Sequence, residues 1–235
     1  MLFRDFGLCE SVLRAVTDEG YETPTPVQAE AIPHILAGRD VLASAQTGTG
    51  KTAAFALPIL HRLSLEQATP QRRPAPIRCL LLAPTRELAL QIQDSLRCYG
   101  RHLRLRSAVV MGGVGQEPQV RALQRGVEIL VATPGRLMDL IQQGFVKLDA
   151  VETLVVDEAD RMLDMGFLPD LRRIVQKLPV ERQTVMFSAT FPPPIAELAN
   201  SVLRDPVRVR IATTTTNTPK IEQAVCFVPQ EHKTT

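Results

Sequence analysis

The stretch Ala45-Gln46-Thr47-Gly48-Thr49-Gly50-Lys51-Thr52 constrains this chain more than any other. An apolar run, Val41-Leu42-Ala43, precedes it, and a helix-prone segment, Ala53-Ala54-Phe55-Ala56-Leu57, follows it. Strand, glycine-rich turn and helix are the setting that a phosphate-binding loop requires. Gly48 and Gly50 let the backbone curl so that successive N–H groups face inward, and the helix adds its positive end. Lys51 is spaced to reach the β- and γ-phosphates of a nucleotide, and the Thr52 hydroxyl to ligate Mg²⁺. One position departs from the generic pattern: Ala45 stands where a glycine is usual.

Short apolar runs recur along the chain at residues 41–43, 79–83, 107–111, 129–132, 154–156, 185–187 and 207–211. Most lack polar alternation, as strands covered on both faces do. Between them lie stripes at helical spacing: Leu88, Ile92 and Leu96; Leu171, Ile174, Val175 and Leu178; Ile195, Leu198, Ala199 and Val202. Residues 10–19 also read as helical, with Val12, Leu13 and Val16 on one side and Gly20 as a stop. Gly100, Gly126 and Gly144 stand where further helix stops are wanted. The alternation predicts an α/β fold, a doubly wound and mostly parallel sheet with helices on both faces. Residues 67–76 read as an exposed loop and residues 213–218 as a linker, which places the domain edge near Ile211. Residues 221–228 have strand-like composition.

Thr25, Pro26 and Gln28 fit a helix N-cap, its first residue and its third, a capping box. Gln28 has a second reading, because its amide carries the paired donor and acceptor that suit the edge of an adenine.

Composition limits the function classes. At 235 residues and 45% hydrophobic, the chain can fill a sizeable core. Net charge is +2, too mild to argue for a nucleic-acid partner, so such a partner must be argued from local sites. Aromatics make up 4% of the chain, with no Trp, which argues against a broad base-stacking platform. Cys9, Cys79, Cys98 and Cys226 form no C-x-x-C pair, so neither a zinc site nor a disulfide framework is expected, and a reducing cytoplasm suits them. No signal peptide or membrane span is read in the sequence.

A second motif completes the first. The buried-type run Leu154-Val155-Val156 ends in Asp157-Glu158-Ala159-Asp160. In open parallel sheets ligands collect at the carboxyl ends of strands. Asp157 is placed to hold Mg²⁺, partly through water, and Glu158 to orient or deprotonate an attacking water.

These motifs, in this order, resemble the N-terminal RecA-like domain of a DEAD-box RNA helicase. The resemblance covers roughly residues 1–211. It adds Phe3 and the 20–28 stretch (the Q motif), Pro84-Thr85-Arg86-Glu87-Leu88-Ala89, Gly112-Gly113, Thr133-Pro134-Gly135-Arg136 and Ser188-Ala189-Thr190. Ala45 also fits, since that family's loop begins with alanine. The text around the motifs most resembles the bacterial RhlE type.

The resemblance implies ATP and Mg²⁺ as ligands. Gln28 then reads adenine, Phe3 stacks on it, and Thr23 adds a backbone contact. Tyr21 is either a helix-packing aromatic or part of the adenine wall. Pro84, Thr85, Arg86, Gly113, Thr133, Pro134, Gly135 and Arg136 line an RNA track. Contacts of this kind go to the sugar–phosphate backbone and carry no base code. Ser188 and Thr190 couple hydrolysis to strand separation by hydrogen-bonding Asp160. Arg97, Arg101, Arg104 and Arg106 read as a solvated basic face. The family's second RecA-like domain, with its arginine finger, is expected in a longer protein, residues 212–235 being the linker and its opening. Alone, the chain is expected to bind nucleotide and not to unwind duplexes. The alternative is a nucleotide-gated binding module without catalysis of its own.

Overall fold

The computed structural model describes residues 1–46, 48–65 and 74–211. Thr47, most of the 67–76 loop, the 213–218 linker and the 221–228 run lie outside the described residues. Within them, every apolar run of the sequence is a strand: β1 (Val41–Ser44), β2 (Cys79–Leu82), β3 (Ser107–Val110), β4 (Ile129–Ala132), β5 (Thr153–Val156), β6 (Gln183–Ser188) and β7 (Val207–Arg210). All pairings are parallel, in the order β3-β4-β2-β5-β6-β1-β7.

Both faces of the sheet are buried, which is why the runs are apolar without alternation. Val41, Ala43, Leu81, Val155 and Phe187 face one core, and Leu42, Leu80, Leu82, Val156 and Met186 face the other. The first core is closed by α1 (Glu10–Asp18), α2 (Pro26–Leu36), α3 (Lys51–Leu65) and α4 (Arg86–Tyr99). The Phe55 and Phe187 rings meet there, their centroids 5.6 Å apart. The second core is closed mainly by α6 (Pro134–Gln142), α7 (Ala159–Asp164), α8 (Leu168–Val175) and α9 (Pro193–Val202), with α5 (Gln116–Gln124) at its margin. Only the edge strands alternate: β7 reads Val-Arg-Val-Arg with Val209 buried and both arginines exposed.

The start of the 74–77 segment differs from the exposed loop read in the sequence. Ala75 and Ile77 are buried, and a Cβ on Gly126 would lie 2.3 Å from the Ala75 nitrogen. Gly126, at φ +78, admits this close backbone approach.

Strand order sorts the motifs. The loops after β5, β6 and β1 are neighbours at one half of the carboxyl edge, and those after β3, β4 and β2 at the other half. The first half carries Asp157, Ser188 and the Ala45–Thr52 loop. The second carries Gly113, Thr133–Arg136 and Pro84–Arg86.

Candidate functional site

The loop after β1 is tied down at both ends. Ala45 is buried, and its N–H donates to the Ser188 carbonyl at 3.3 Å, fastening the loop to the neighbouring strand. Thr49 Oγ1 donates to the Gln46 carbonyl at 2.8 Å. Gly48 (φ +80) and Gly50 (φ +90) take backbone angles that favour glycine. Nothing lies within 4 Å of a Cβ built on Gly48, so there is open space beside the loop there.

Gln28 serves this loop. Its Oε1 accepts the Thr25 N–H at 2.9 Å, the reciprocal half of a capping box, and its Nε2 donates to the Gly50 carbonyl at 3.1 Å. A Cβ on Gly50 would stand 2.5 Å from that nitrogen. Thr25, read in the sequence as a cap, gives its hydroxyl to the Thr49 carbonyl at 2.8 Å. The helix start and the loop are therefore one hydrogen-bonded unit. Thr23 lies on an exposed bend just before it.

Phe3 is 4% exposed in a short 3-10 turn (Phe3–Phe6). Its ring stacks on Tyr21, with centroids 6.5 Å apart, and meets Phe6 edge-on at 6.1 Å. Tyr21 also approaches Tyr99, hydroxyl to hydroxyl at 3.4 Å. Phe3 thus sits among aromatic neighbours, and Tyr21 is 42% exposed.

Across from the loop, Asp157 follows β5. It is 2% exposed, and its Oδ1 lies 3.7 Å from Lys51 Nζ. Oδ1 also accepts the Glu158 N–H at 3.0 Å. Burial pushes the Asp157 carboxyl up to about 6. The Lys51 ammonium opposes that rise and the adjacent Glu158 adds to it. Glu158 takes a left-handed backbone, φ 52 and ψ 55, which costs a non-glycine residue about 1–2 kcal/mol. Strain of this kind persists where the surroundings fix it, and it is concentrated at functional sites. Here it turns the Glu158 side chain, 9% exposed, back toward Arg161, whose Nη1 is 3.2 Å from Oε2. Arg161 was not read from the sequence, though its i,i+3 spacing to Glu158 on a helix start is a signal for such a pair. Thr52 is half-buried in the first turn of α3.

Asp160 faces β6. Its Oδ2 accepts both the N–H and the hydroxyl of Thr190 at 2.9 Å. Its own N–H donates to Ser188 Oγ at 3.2 Å, and Ser188 Oγ in turn donates to the Thr190 carbonyl at 2.7 Å. Burial works against the charged form of Asp160. The Thr190, Ser188 and Arg161 hydrogen bonds outweigh it and hold the carboxyl below its ordinary range.

At the other half of the edge, Thr85 caps α4, its hydroxyl accepting the Leu88 N–H at 3.2 Å. Pro84 is buried and Arg86 is exposed. Thr133 precedes α6, Pro134 is its first residue, and no atom lies within 4 Å of a Cβ built on Gly135. Arg136, with 15% of its side chain exposed, lies 4.0 Å from Asp139.

Set beside known proteins, the DEAD/DEAH box helicase family model matches residues 25–198. The chain belongs to the DEAD/DEAH box helicase family. The seven-stranded parallel sheet, covered on both faces, is its RecA-like α/β domain. RNA helicase CrhR of Synechocystis sp. is 46% identical over 228 residues, covering 97% of this chain and 45% of that protein. ATP-dependent RNA helicase DeaD of Escherichia coli is 45% identical, covering 94% of this chain and 34% of that protein. ATP-dependent RNA helicase CshA of Limosilactobacillus reuteri is 44% identical, covering 95% and 44%. The chain thus spans less than half the length of these DEAD/DEAH box relatives. Among the described residues no helix is long and apolar enough to cross a membrane.

Proposed function

We propose that this chain is the ATP- and RNA-binding N-terminal domain of a cytoplasmic ATP-dependent RNA helicase, one that couples ATP hydrolysis to local unwinding of RNA duplexes. The observation that carries the reading is the approach of Lys51, at the end of the glycine loop, to Asp157 at the end of β5, 3.7 Å apart.

The donor set fits Mg-ATP. Asp157 is buried, yet among the described residues it receives only its neighbour's N–H and the Lys51 ammonium. A carboxylate so placed, facing Lys51 with the Thr52 hydroxyl next to it in the chain, suits a hard cation that keeps several waters. Bound Mg²⁺ would neutralise the β- and γ-phosphate oxygens. The residues do the rest: the loop N–H groups and Lys51 hold the phosphates, Glu158 holds the attacking water or takes its proton, and the Gln28 amide, with Phe3 and Thr23, recognises adenine. Gln28 does this while bonded to the loop, so base recognition and phosphate seating are mechanically joined. The Asp160–Ser188–Thr190 network is the route by which phosphate loss reaches the RNA half of the edge.

Pro84, Thr85, Arg86, Gly113, Thr133, Pro134, Gly135 and Arg136 form the RNA track. Hydroxyls, helix-start N–H groups and arginines recognise phosphate and sugar, so binding is independent of sequence and weakens with salt. A second RecA-like domain, joined through the 212–235 segment, completes the enzyme. The chain alone hydrolyses ATP poorly, because an arginine finger is worth about 10³–10⁵ in rate. Relatives named ATP-dependent RNA helicases support this reading. Placement in the RhlE branch rests on the text around the motifs.

Calorimetric titration of the chain with Mg-ATP and Mg-GTP is the test. Binding that favours ATP, with the preference eroded in Gln28→Ala, is expected. No binding, or equal binding by Lys51→Ala, overturns the nucleotide site. Indifference to single-stranded RNA, with nucleotide binding intact, supports a nucleotide-gated module instead.

A further inference from the structure

The turn between β3 and α5 holds no part of the nucleotide machinery, yet side chains from three other places converge on it. Gln119, on the inner side of α5, is 8% exposed. Its Oε1 accepts the Met111 N–H at 3.0 Å, and its Nε2 donates to the Met111 and Gly115 carbonyls, each at 3.1 Å. One carboxamide therefore fastens both ends of the turn. From α6, Arg136 Nη1 donates to the Val114 carbonyl at 3.3 Å. From α4, the Arg86 guanidinium lies so close over Gly113 that a Cβ there would stand 2.0 Å from Nη1. Gly113, at φ +74, supplies both the turn and the space.

Arg86 makes no ion pair among the described residues, and Arg136 only a long one. Each is a long, rotamer-rich side chain whose conformational entropy must be lost when it grips a phosphate. A fixed backbone turn beneath both guanidinium groups reduces that loss before RNA arrives. A buried amide is costly unless all its polar atoms are used, and Gln119 uses both of its own on this turn. Packing alone would be met by an apolar side chain.

We infer that Gln119 is a positioning residue for RNA: by pinning residues 111–115 it sets where Arg86 and Arg136 present their guanidinium groups to the phosphate backbone. The inference rests on the RNA-track reading given above.

The test is binding of a labelled oligouridylate to the 235-residue chain in the presence of Mg-ATP, followed by anisotropy across a salt series. Gln119→Met is expected to weaken binding about five- to tenfold. It should also lower the slope of log affinity against log salt by up to about 1.4, since each phosphate contact to a single strand contributes about 0.7. In an Arg86→Ala/Arg136→Ala background it should cost nothing further. Gln119→Asn keeps the amide without adding charge, on a side chain one methylene too short to reach both ends of the turn, and should fall between. Mg-ATP affinity is the check on folding and should not change. If Gln119→Met lowers thermal stability but leaves affinity and salt slope at the wild-type values while the arginine variants weaken RNA, the inference is overturned and the RNA track stands. If the arginine variants bind as the wild type does, or the wild type binds no RNA, the track itself is overturned and the inference with it. Should Gln119→Met lose Mg-ATP binding, Gln119→Asn decides by the same comparisons.

Discussion

Asp40 and Asp157 are both buried at a strand end, one at the amino edge of the sheet and the other at the carboxyl edge. Asp40 leads into β1. Its Oδ1 accepts the Thr184 N–H and its Oδ2 the Arg204 N–H, both at 2.7 Å, while its own carbonyl accepts the Val207 N–H at 2.9 Å. Each carboxylate oxygen is committed to backbone, and three chain segments are tied together. Gln183 beside it does similar work, its Nε2 donating to the Ile35 and Arg39 carbonyls. Asp157 is buried at least as deeply but has one neighbouring N–H and a lysine at 3.7 Å. If Asp157 holds the cation as proposed, burial is not what marks a working carboxylate. Incomplete satisfaction, with a displaced pKa and a strained neighbour, then is.

The largest effect should come from Glu158→Gln. It keeps the shape and removes the base, so RNA-stimulated hydrolysis in a chain carrying a second domain should fall about 10²–10⁴-fold with Mg-ATP affinity retained. Equal losses of affinity and rate would place Glu158 with the structural carboxylates and erase the contrast with Asp40. Next in size are the paired isosteric changes. Asp40→Asn turns an amide NH₂ against a backbone N–H and leaves a buried donor unsatisfied. Denaturant unfolding should show a loss of about 2–4 kcal/mol, with Mg-ATP binding unchanged in the folded protein. Asp157→Asn should weaken Mg-ATP binding severely, leaving a measurable residue, and at pH 8 leave the unbound domain no less stable. The sign follows from its raised pKa: the folded state holds the proton more tightly than the unfolded one, so Asp157's contribution is full below about 4 and lost as pH rises through about 6. If both variants destabilise alike, the two carboxylates are of one kind. Lys51→Ala comes next, removing charge-assisted bonds of about 1.5–3 kcal/mol, or roughly ten- to 150-fold in Mg-ATP affinity by calorimetry.

The carboxyl edge was far more legible in sequence than the amino edge, for a physical reason. Phosphate chemistry demands glycines, a lysine and carboxylates at fixed short spacing, so the Ala45–Thr52 loop and the 157–160 run announce themselves. The strands were legible because burial on both faces makes them uniformly apolar, and β4 begins and ends where the run 129–132 does. β6 starts two residues before its apolar run because Gln183 and Thr184 are polar but buried, the Gln183 amide and the Thr184 backbone N–H finding partners remote in the chain. Asp40, Gln119 and Arg161 were not picked out. The partners of Asp40 lie 144 and 164 residues away, and the Gln119 amide reads as one more polar residue on an amphipathic helix. Gln28 is legible as a helix cap. Its bond to Gly50 is not, because only the packing of α2 on α3 brings the two together.

The smallest effect is also the most discriminating. A cation binding at Asp157 must displace the proton that burial favours, so Mg-nucleotide affinity should fall as pH drops through about 6. A single group titrating there weakens binding about tenfold between pH 7 and pH 5. The nucleotide's terminal phosphate titrates in the same range and contributes its own decline. The protein's share is isolated by measuring residual nucleotide binding of Asp157→Asn across the same range, since that variant retains only the phosphate's titration. Asp40→Asn is the matched control. With both oxygens committed to backbone donors and no contact with the crevice, it should reproduce the wild-type pH profile for binding. A wild-type profile that superimposes on that of Asp157→Asn would mean that Asp157 does not face the cation, and the distinction between the two edges of the sheet would then rest on Glu158 alone.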